Sequence, residues 1–313
     1  MLFRSGPAVS EDRSALPEPA VSGPAELVLQ ELAPPEPPPP STLAGPPVAT
    51  LSYTSLGAYA RCGYRFYAER VLGLPARPVS DERGSAVLAR SAADRGVLVH
   101  ALLERLNFRR PAAPGAEAIT AAAAGAGMRP PTLEEAADLA GLISGFASSE
   151  LCARLGRATN ARREERFAFE LADGVLVTGA IDVLARERDG AMLIVDYKSD
   201  RLAGADPTAI VDSAYTTQRL VYAIAALRAG APRVEVAHLF LEVPERPVTI
   251  VFAQSELDEL EGRLGGLAAG VLERRFEVSP TPHRALCAGC PAEGGLCSWP
   301  LATTRRESAD CLF

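Results

Sequence analysis

Apolar and polar positions divide the chain into three regimes. Over residues 1–50 almost no period of 2 or 3.6 is visible, and this stretch holds 12 of the 26 prolines, including the run Pro37–Pro40. It predicts a disordered or extended linker, with one short helical turn at Leu27–Leu32. From Leu51 the spacing becomes helical: Leu51, Leu56, Tyr59, Phe66, Val71 and Leu72 predict an entrance helix, capped by Ser52 or Thr54 and divided at Cys62-Gly63. Residues 95–107 predict a second helix, residues 111–131 a loop with a weak helix, and residues 132–156 a third helix. Thr132 caps that third helix, and Glu134 and Glu135 suit its positive N-terminal end.

The period then changes to two. Glu165–Leu171 predicts a strand. Val175–Leu184 and Met192–Tyr197 predict two more, joined by a turn at Asp189-Gly190. A helix over 213–229, ended by Gly230 and Pro232, leads to strands Val234–Val243 and Val248–Phe252. An amphipathic helix follows over Ser255–Arg275, with Ser255 as its cap. Val278–Pro300 is rich in Cys, Pro and Gly and predicts no regular element. The order is that of an α/β sheet with a helical entrance. Neither G-x-x-x-x-G-K-[ST] nor G-x-G-x-x-G occurs, so a nucleotide-binding doubly wound fold has no support.

Composition narrows the classes. The 313 residues suffice for one large domain or two modest ones, and 48% apolar content allows a sizeable core. No run of 18 uncharged apolar residues and no basic-then-apolar N-terminus occurs, so the reading is a soluble cytoplasmic protein. The net charge of -7 argues against coating nucleic acid by bulk charge, while leaving room for a local groove. In a reducing compartment the six cysteines are not expected to form disulfides. Cys287-x2-Cys290-x6-Cys297 points instead to a metal or cluster, with Cys62 or His283 as a fourth ligand. Zinc and iron–sulfur are both open at this point, and Cys152 and Cys311 are spare.

The candidate chemistry lies in the hairpin. Asp182 and Asp196 each interrupt an apolar strand, and Lys198 follows Asp196 on the same side. Two acids and a lysine on one face of a sheet are costly unless they bind something. A divalent metal with a phosphate fits: carboxylates hold a hard cation, and the lysine neutralises phosphate charge. The alternative is three exposed residues on ordinary strands. Asp182 shares a face with Asp196 only if the connection has an odd residue count or a bulge; a strict two-residue turn would set it opposite Tyr197. His100 sits on an apolar helix face, where a histidine is a core residue more often than a ligand. Gln218 and Tyr222 lie four apart on one helix face.

Taken together, residues 51–300 resemble the PD-(D/E)XK nuclease superfamily, in particular the RecB-like nuclease domain of bacterial helicase–nucleases of the RecB and AddAB type. The resemblance runs through LSYTSLGAYARCGYRFYAERVLGL as the entrance helix, RGVLVHALLE with Gly96 and His100, GAIDVL with Asp182, IVDYKS with Asp196 and Lys198, and QRLVYA with Gln218 and Tyr222. It implies a restriction-endonuclease-like core: a central mixed β-sheet flanked by helices, with a helical entrance and a Cys-rich tail. His100, Asp182, Asp196 and the Tyr197 backbone carbonyl would be metal ligands and Lys198 the catalytic lysine. Gln218 and Tyr222 would orient the DNA backbone or Lys198, and Glu165 would be an accessory acid. Some members carry a [4Fe–4S] staple, and Cys62, Cys287, Cys290 and Cys297 fall at its places; the last gap of six residues is one longer than that pattern. Residues 283–300 would pack on the 51–72 helix, leaving 301–313 as a tail.

The implied activity is Mg²⁺- or Mn²⁺-dependent hydrolysis of DNA, as an exonuclease working with a helicase in recombination or repair. The substrate would be a single strand or a duplex end, held through its backbone without sequence preference, with Arg61, Arg65, Arg70 and Arg219 as phosphate contacts. No motor motif occurs, so the helicase is expected to be absent, on another chain, or on a missing N-terminal portion. The rivals are a catalytically silent DNA-binding subunit and an interaction module stapled by its cysteines.

Overall fold

A computed structural model of the protein describes residues 45–78 and 90–307. Residues 1–44 of the linker expected over 1–50, and the spare Cys311, lie outside them, while Thr50 at the linker's end is in a strand.

The chain enters through strand β1 (Thr50–Leu51), helices α1 (Tyr53–Arg61) and α2 (Gly63–Phe66), and a wide helical turn over Tyr67–Val71. Helices α3 (Ala92–Glu104), α4 (Ala116–Gly125), α5 (Leu133–Ala147) and α6 (Glu150–Arg157) follow. Next come strands β2 (Asn160–Ala172), β3 (Val175–Arg186) and β4 (Met192–Lys198), then helices α7 (Pro207–Ala214) and α8 (Thr216–Arg228). Strands β5 (Arg233–Phe240) and β6 (Val248–Ala253), helix α9 (Leu257–Leu272) and the short helices α10 (Arg284–Cys287) and α11 (Leu301–Thr304) complete it.

The described strands form a six-stranded mixed sheet in the order β1-β3-β4-β5-β6, with β2 pairing β3. β1 and β3 are parallel, as are β4 and β5; the other pairs are antiparallel. Helices cover both faces. On one, α1, α8 and α9 bury Leu56, Val221, Ile224, Leu264 and Val271 against Ile181, Ile194 and Val236. On the other, α3 to α6 bury Leu98, Leu103, Ile143, Phe146 and Leu155 against Val183, Val195 and Leu239. A strand covered on both faces has no polar side, which is why β4 is apolar and buried almost throughout.

Several boundaries differ from the sequence pattern, each for a local reason. Ser52 does cap α1, in a capping box with Ser55, but Thr50 and Leu51 before it join the sheet. The Ala-rich stretch forms a full helix because Ile119, Ala122 and Ala123 pack on α3 and α5. The third helix is two, since Ser149 caps a new start at α6. The helix over 213–229 is also two, broken at Tyr215. Ser255 lies inside a 3-10 turn over Gln254–Glu256 and does not cap α9.

Candidate active site

The β3–β4 connection meets the register condition. Arg186 pairs with Met192, so five residues connect the strands. Glu187 N–H donates to the Ala191 carbonyl (2.8 Å), and Gly190 takes a positive φ of 87°. The ladder runs from there to Val183↔Val195 and stops one step short of the aspartates. One further step would set Asp182 opposite Asp196. There Asp182 Oδ2 accepts the backbone N–H of Tyr197 at 2.7 Å. A side-chain carboxylate thus replaces the next ladder contact, and the strands part.

β2 is irregular at the same level. Its ladder to β3 has Arg163↔Val183 and Glu165↔Ile181 but omits Glu164 and Asp182 between them. Glu164 has φ 47°, an uncommon conformation for a non-glycine residue and one concentrated at functional sites. The facing of β3 changes here too: Val177 and Ile181 enter one core, Val183 and Ala185 the other. The carboxylates of Glu164 and Asp182 and the ring of His100 offer ligand atoms all within 4.8 Å of one another.

α3 supplies His100, whose Nδ1 lies 3.5 Å from Asp182 Oδ1. Gly96 lets that helix approach, because a Cβ there would stand 3.2 Å from Ser199 Oγ, just past the end of β4. Arg95 ties the same junction by donating to the Ser199 carbonyl and to Asp138. Burial works against protonation of His100, but its bond to Asp182 and the surrounding carboxylates outweigh burial and raise its pKa. Burial, and then Asp182, raise the pKa of Glu164.

α8 serves the other aspartate. Asp196 is 3% exposed. Gln218 Nε2 donates to its Oδ1 at 2.6 Å, and Gln218 Oε1 accepts from Lys198 Nζ at 3.0 Å. The Tyr222 hydroxyl accepts from Gln218 (3.0 Å), donates to the Ala180 carbonyl (2.8 Å) and stands 3.3 Å from Asp196 Oδ1. Lys198 Nζ lies 2.7 Å from Asp196 Oδ2 as a buried ion pair. Burial pushes the Asp196 carboxyl up, with Lys198 pulling it back.

The structure therefore brings His100, Asp182, Asp196, Tyr197, Lys198, Gln218 and Tyr222 to one end of β4, where the two helical layers meet. It sets Glu165 apart: that residue is opposite Ile181 and ion-paired with Arg162 (2.7 Å). The acid facing Asp182 is Glu164. The reason is a register shift. A strict two-residue turn at Asp173-Gly174 would place Glu165 opposite Asp182, but a shift between Glu170 and Ala172 moves the ladder by one.

The residues present fit a hard divalent cation. The donor set is carboxylate oxygen with one imidazole, and His100, Glu164 and Asp182 offer their ligand atoms within 4.8 Å of one another.

A second constellation lies apart from this one. Cys62 sits between α1 and α2, where its Sγ accepts the Arg65 N–H at 3.5 Å. Cys62, Cys287, Cys290 and Cys297 line one cavity beside Trp299. The tail docks on α2 through Tyr64 N–H to the Glu277 carbonyl (2.9 Å) and Arg65 to the Leu286 carbonyl (2.5 Å). Arg65 is thus engaged with the tail, and Arg219 pairs with Asp212. His283 Nδ1 accepts the Leu286 N–H as a cap. Cys152 is buried in the core, which pushes its thiol up to about 11.

A mixed sheet between two helical layers, with an acid pair and a lysine at the end of a buried strand, is a restriction-endonuclease-like fold. The chain belongs to the PD-(D/E)XK nuclease superfamily, whose sequence model matches residues 50–294. A comparison with curated proteins finds no match. Among solved structures, the crystal structure of SSO0001 is similar at 14% identity, covering 78% of this chain and 84% of that one, with a TM-score of 0.34. A candidate exonuclease from Eubacterium rectale is similar at 12% identity, covering 74% and 84%, with a TM-score of 0.45. No described helix is long and apolar enough to cross a membrane.

Proposed function

We propose that this chain is a Mg²⁺- or Mn²⁺-dependent deoxyribonuclease, acting as an exonuclease beside a helicase in recombination or repair. The observation that carries the reading is the convergence of His100, Glu164 and Asp182, whose ligand atoms lie within 4.8 Å of one another, beside the buried Asp196–Lys198 ion pair. His100, Asp182, Asp196 and Glu164, with the Tyr197 carbonyl, would hold the metal. A cation there supplies Lewis-acid polarisation of the scissile phosphate and a more acidic water. Lys198 donates to the phosphate as charge builds on it. Gln218 bonds Lys198 and Asp196 at once, so it fixes the spacing of cation and acid. Tyr222 locks Gln218 to the strand through Ala180. The test is degradation of end-labelled single- and double-stranded DNA. A chelator should stop it, Mg²⁺ should restore it, and products should shorten from one end. Metal-independent cutting, or internal cuts alone, would count against the reading.

Glu164 and Glu165 separate in the same way. Glu164→Gln is expected to weaken Mg²⁺ or Mn²⁺ binding by calorimetry about tenfold or more, as loss of a ligand-sphere carboxylate does. Glu165→Gln should leave it unchanged. Equal effects would mean that the register shift does not select the acid.

We assign the four cysteines, which line one cavity, to a [4Fe–4S] cluster, as the resemblance implies, with zinc as the alternative.

A further inference from the structure

Lys198 is the only lysine in a chain whose lysines and arginines total 32. Its side chain is 12% exposed and held on three sides. Asp196 and Gln218 supply two of them, at 2.7 and 3.0 Å. The third is the ring of Tyr215, whose centroid lies 3.8 Å from Nζ. Tyr215 occupies the break between α7 and α8, ending one helix and beginning the next. Its ring stacks on His238 at 5.6 Å and 24°, and its hydroxyl stands 3.4 Å from Asp200. His238 is on β5 opposite Asp196 and is fully buried, and neither ring nitrogen has a hydrogen-bond partner. Burial, and then the cations Lys198 and Arg219, lower its pKa to about 3.

We propose that Tyr215, backed by His238, is the positioning residue for Lys198; this rests on reading Lys198 as the catalytic lysine. An ammonium has three donors. Gln218 takes one, and the contact with Asp196 involves the oxygen that a metal would also need. The ring face competes for neither. It attracts the ammonium through its quadrupole and bars it from folding toward β5. With Gln218 it holds Nζ in place and leaves a donor for the phosphate. An arginine, the cation used everywhere else in the chain, is a flat fork that matches this point-like socket poorly.

The single lysine makes the test direct. Full-length protein grown on lysine labelled with ¹³C at Cε gives one lysine side-chain signal. Lying over the Tyr215 ring, its Hε protons should be displaced upfield. Tyr215→Leu should remove the displacement; Tyr215→Phe and His238→Phe, which keep an aromatic ring, should retain it. In DNA cleavage, Tyr215→Leu should lower kcat about tenfold with KM little changed, as loss of a partly desolvated cation–π contact implies, and Tyr215→Phe should restore it. A wild-type lysine signal at the position of an exposed lysine overturns the proposal, even if Tyr215→Leu fails to fold. So does a Tyr215→Leu enzyme that cuts like wild type while Lys198→Ala is dead, and that outcome leaves the nuclease reading standing. If wild type cuts nothing, the nuclease reading fails, and with it the positioning role, whatever the lysine signal shows about packing.

Discussion

Asp182→Asn is expected to keep the fold and lose the metal. Asp182 is the hub of the site: Oδ2 takes the Tyr197 N–H, Oδ1 faces His100, and Glu164 lies within ligand distance. An asparagine oxygen can still accept the Tyr197 N–H, so that buried donor keeps its partner; losing it would cost about 1–3 kcal/mol. The charge, however, is gone. Removing groups that merely support metal ligands lowers affinity roughly 10- to 100-fold, and removal of a ligand itself should reach at least the upper figure. Calorimetric titration with Mn²⁺ and thermal unfolding of the metal-free protein read the two effects apart. Unchanged Mn²⁺ affinity would remove Asp182 from the ligand set.

The second large effect is expected at Cys62→Ser. Of the four proposed cluster ligands, Cys62 alone lies in the entrance helices, and Cys287, Cys290 and Cys297 all lie in the tail. A metal group that ties distant segments contributes its binding free energy to folding, on the order of 10 kcal/mol for structural zinc. The variant should lose visible absorption near 400 nm, the region expected for thiolate-bound iron–sulfur clusters. Its unfolding temperature should fall by roughly 10 °C or more, and protease should cut within 278–300. Cys152→Ala, altering a buried core thiol that does not line the cavity, should keep the colour. A colourless wild type containing one zinc per chain would replace the cluster with a zinc site.

Much of this arrangement was legible in the sequence, because the signals were local. β4 reads as one apolar run broken by Asp196, and burial on both faces is the physical cause of that run. Gln218 and Tyr222 at helical spacing do share a face, and both reach Asp196. The odd connection count needed to align Asp182 with Asp196 is met by residues 187–191. What the pattern could not give was long-range register. Glu164 and Glu165 are adjacent acids, and only the shift near Leu171 decides which one faces Asp182. Tyr215 and His238 were invisible for a similar reason. One sits where a helical run breaks without Gly or Pro, and the other is a lone histidine in a strand whose role depends on what stacks upon it. The Asp-Gly turn at 173–174 was a readable signal for the β2–β3 hairpin, but the shift beside it has no sequence mark.

Hydrolysis at this site is tested most directly by Mg²⁺-dependent degradation of labelled DNA by wild-type protein and Lys198→Ala side by side, prepared anaerobically, with Mn²⁺ binding measured on both. The expected result is metal-dependent cutting by the wild type and a loss of about 100-fold or more in the variant, the scale for removing a group aimed at developing charge, with Mn²⁺ still bound. Equal cutting by both proteins, or no cutting by a folded, metal-loaded wild type, would contradict it.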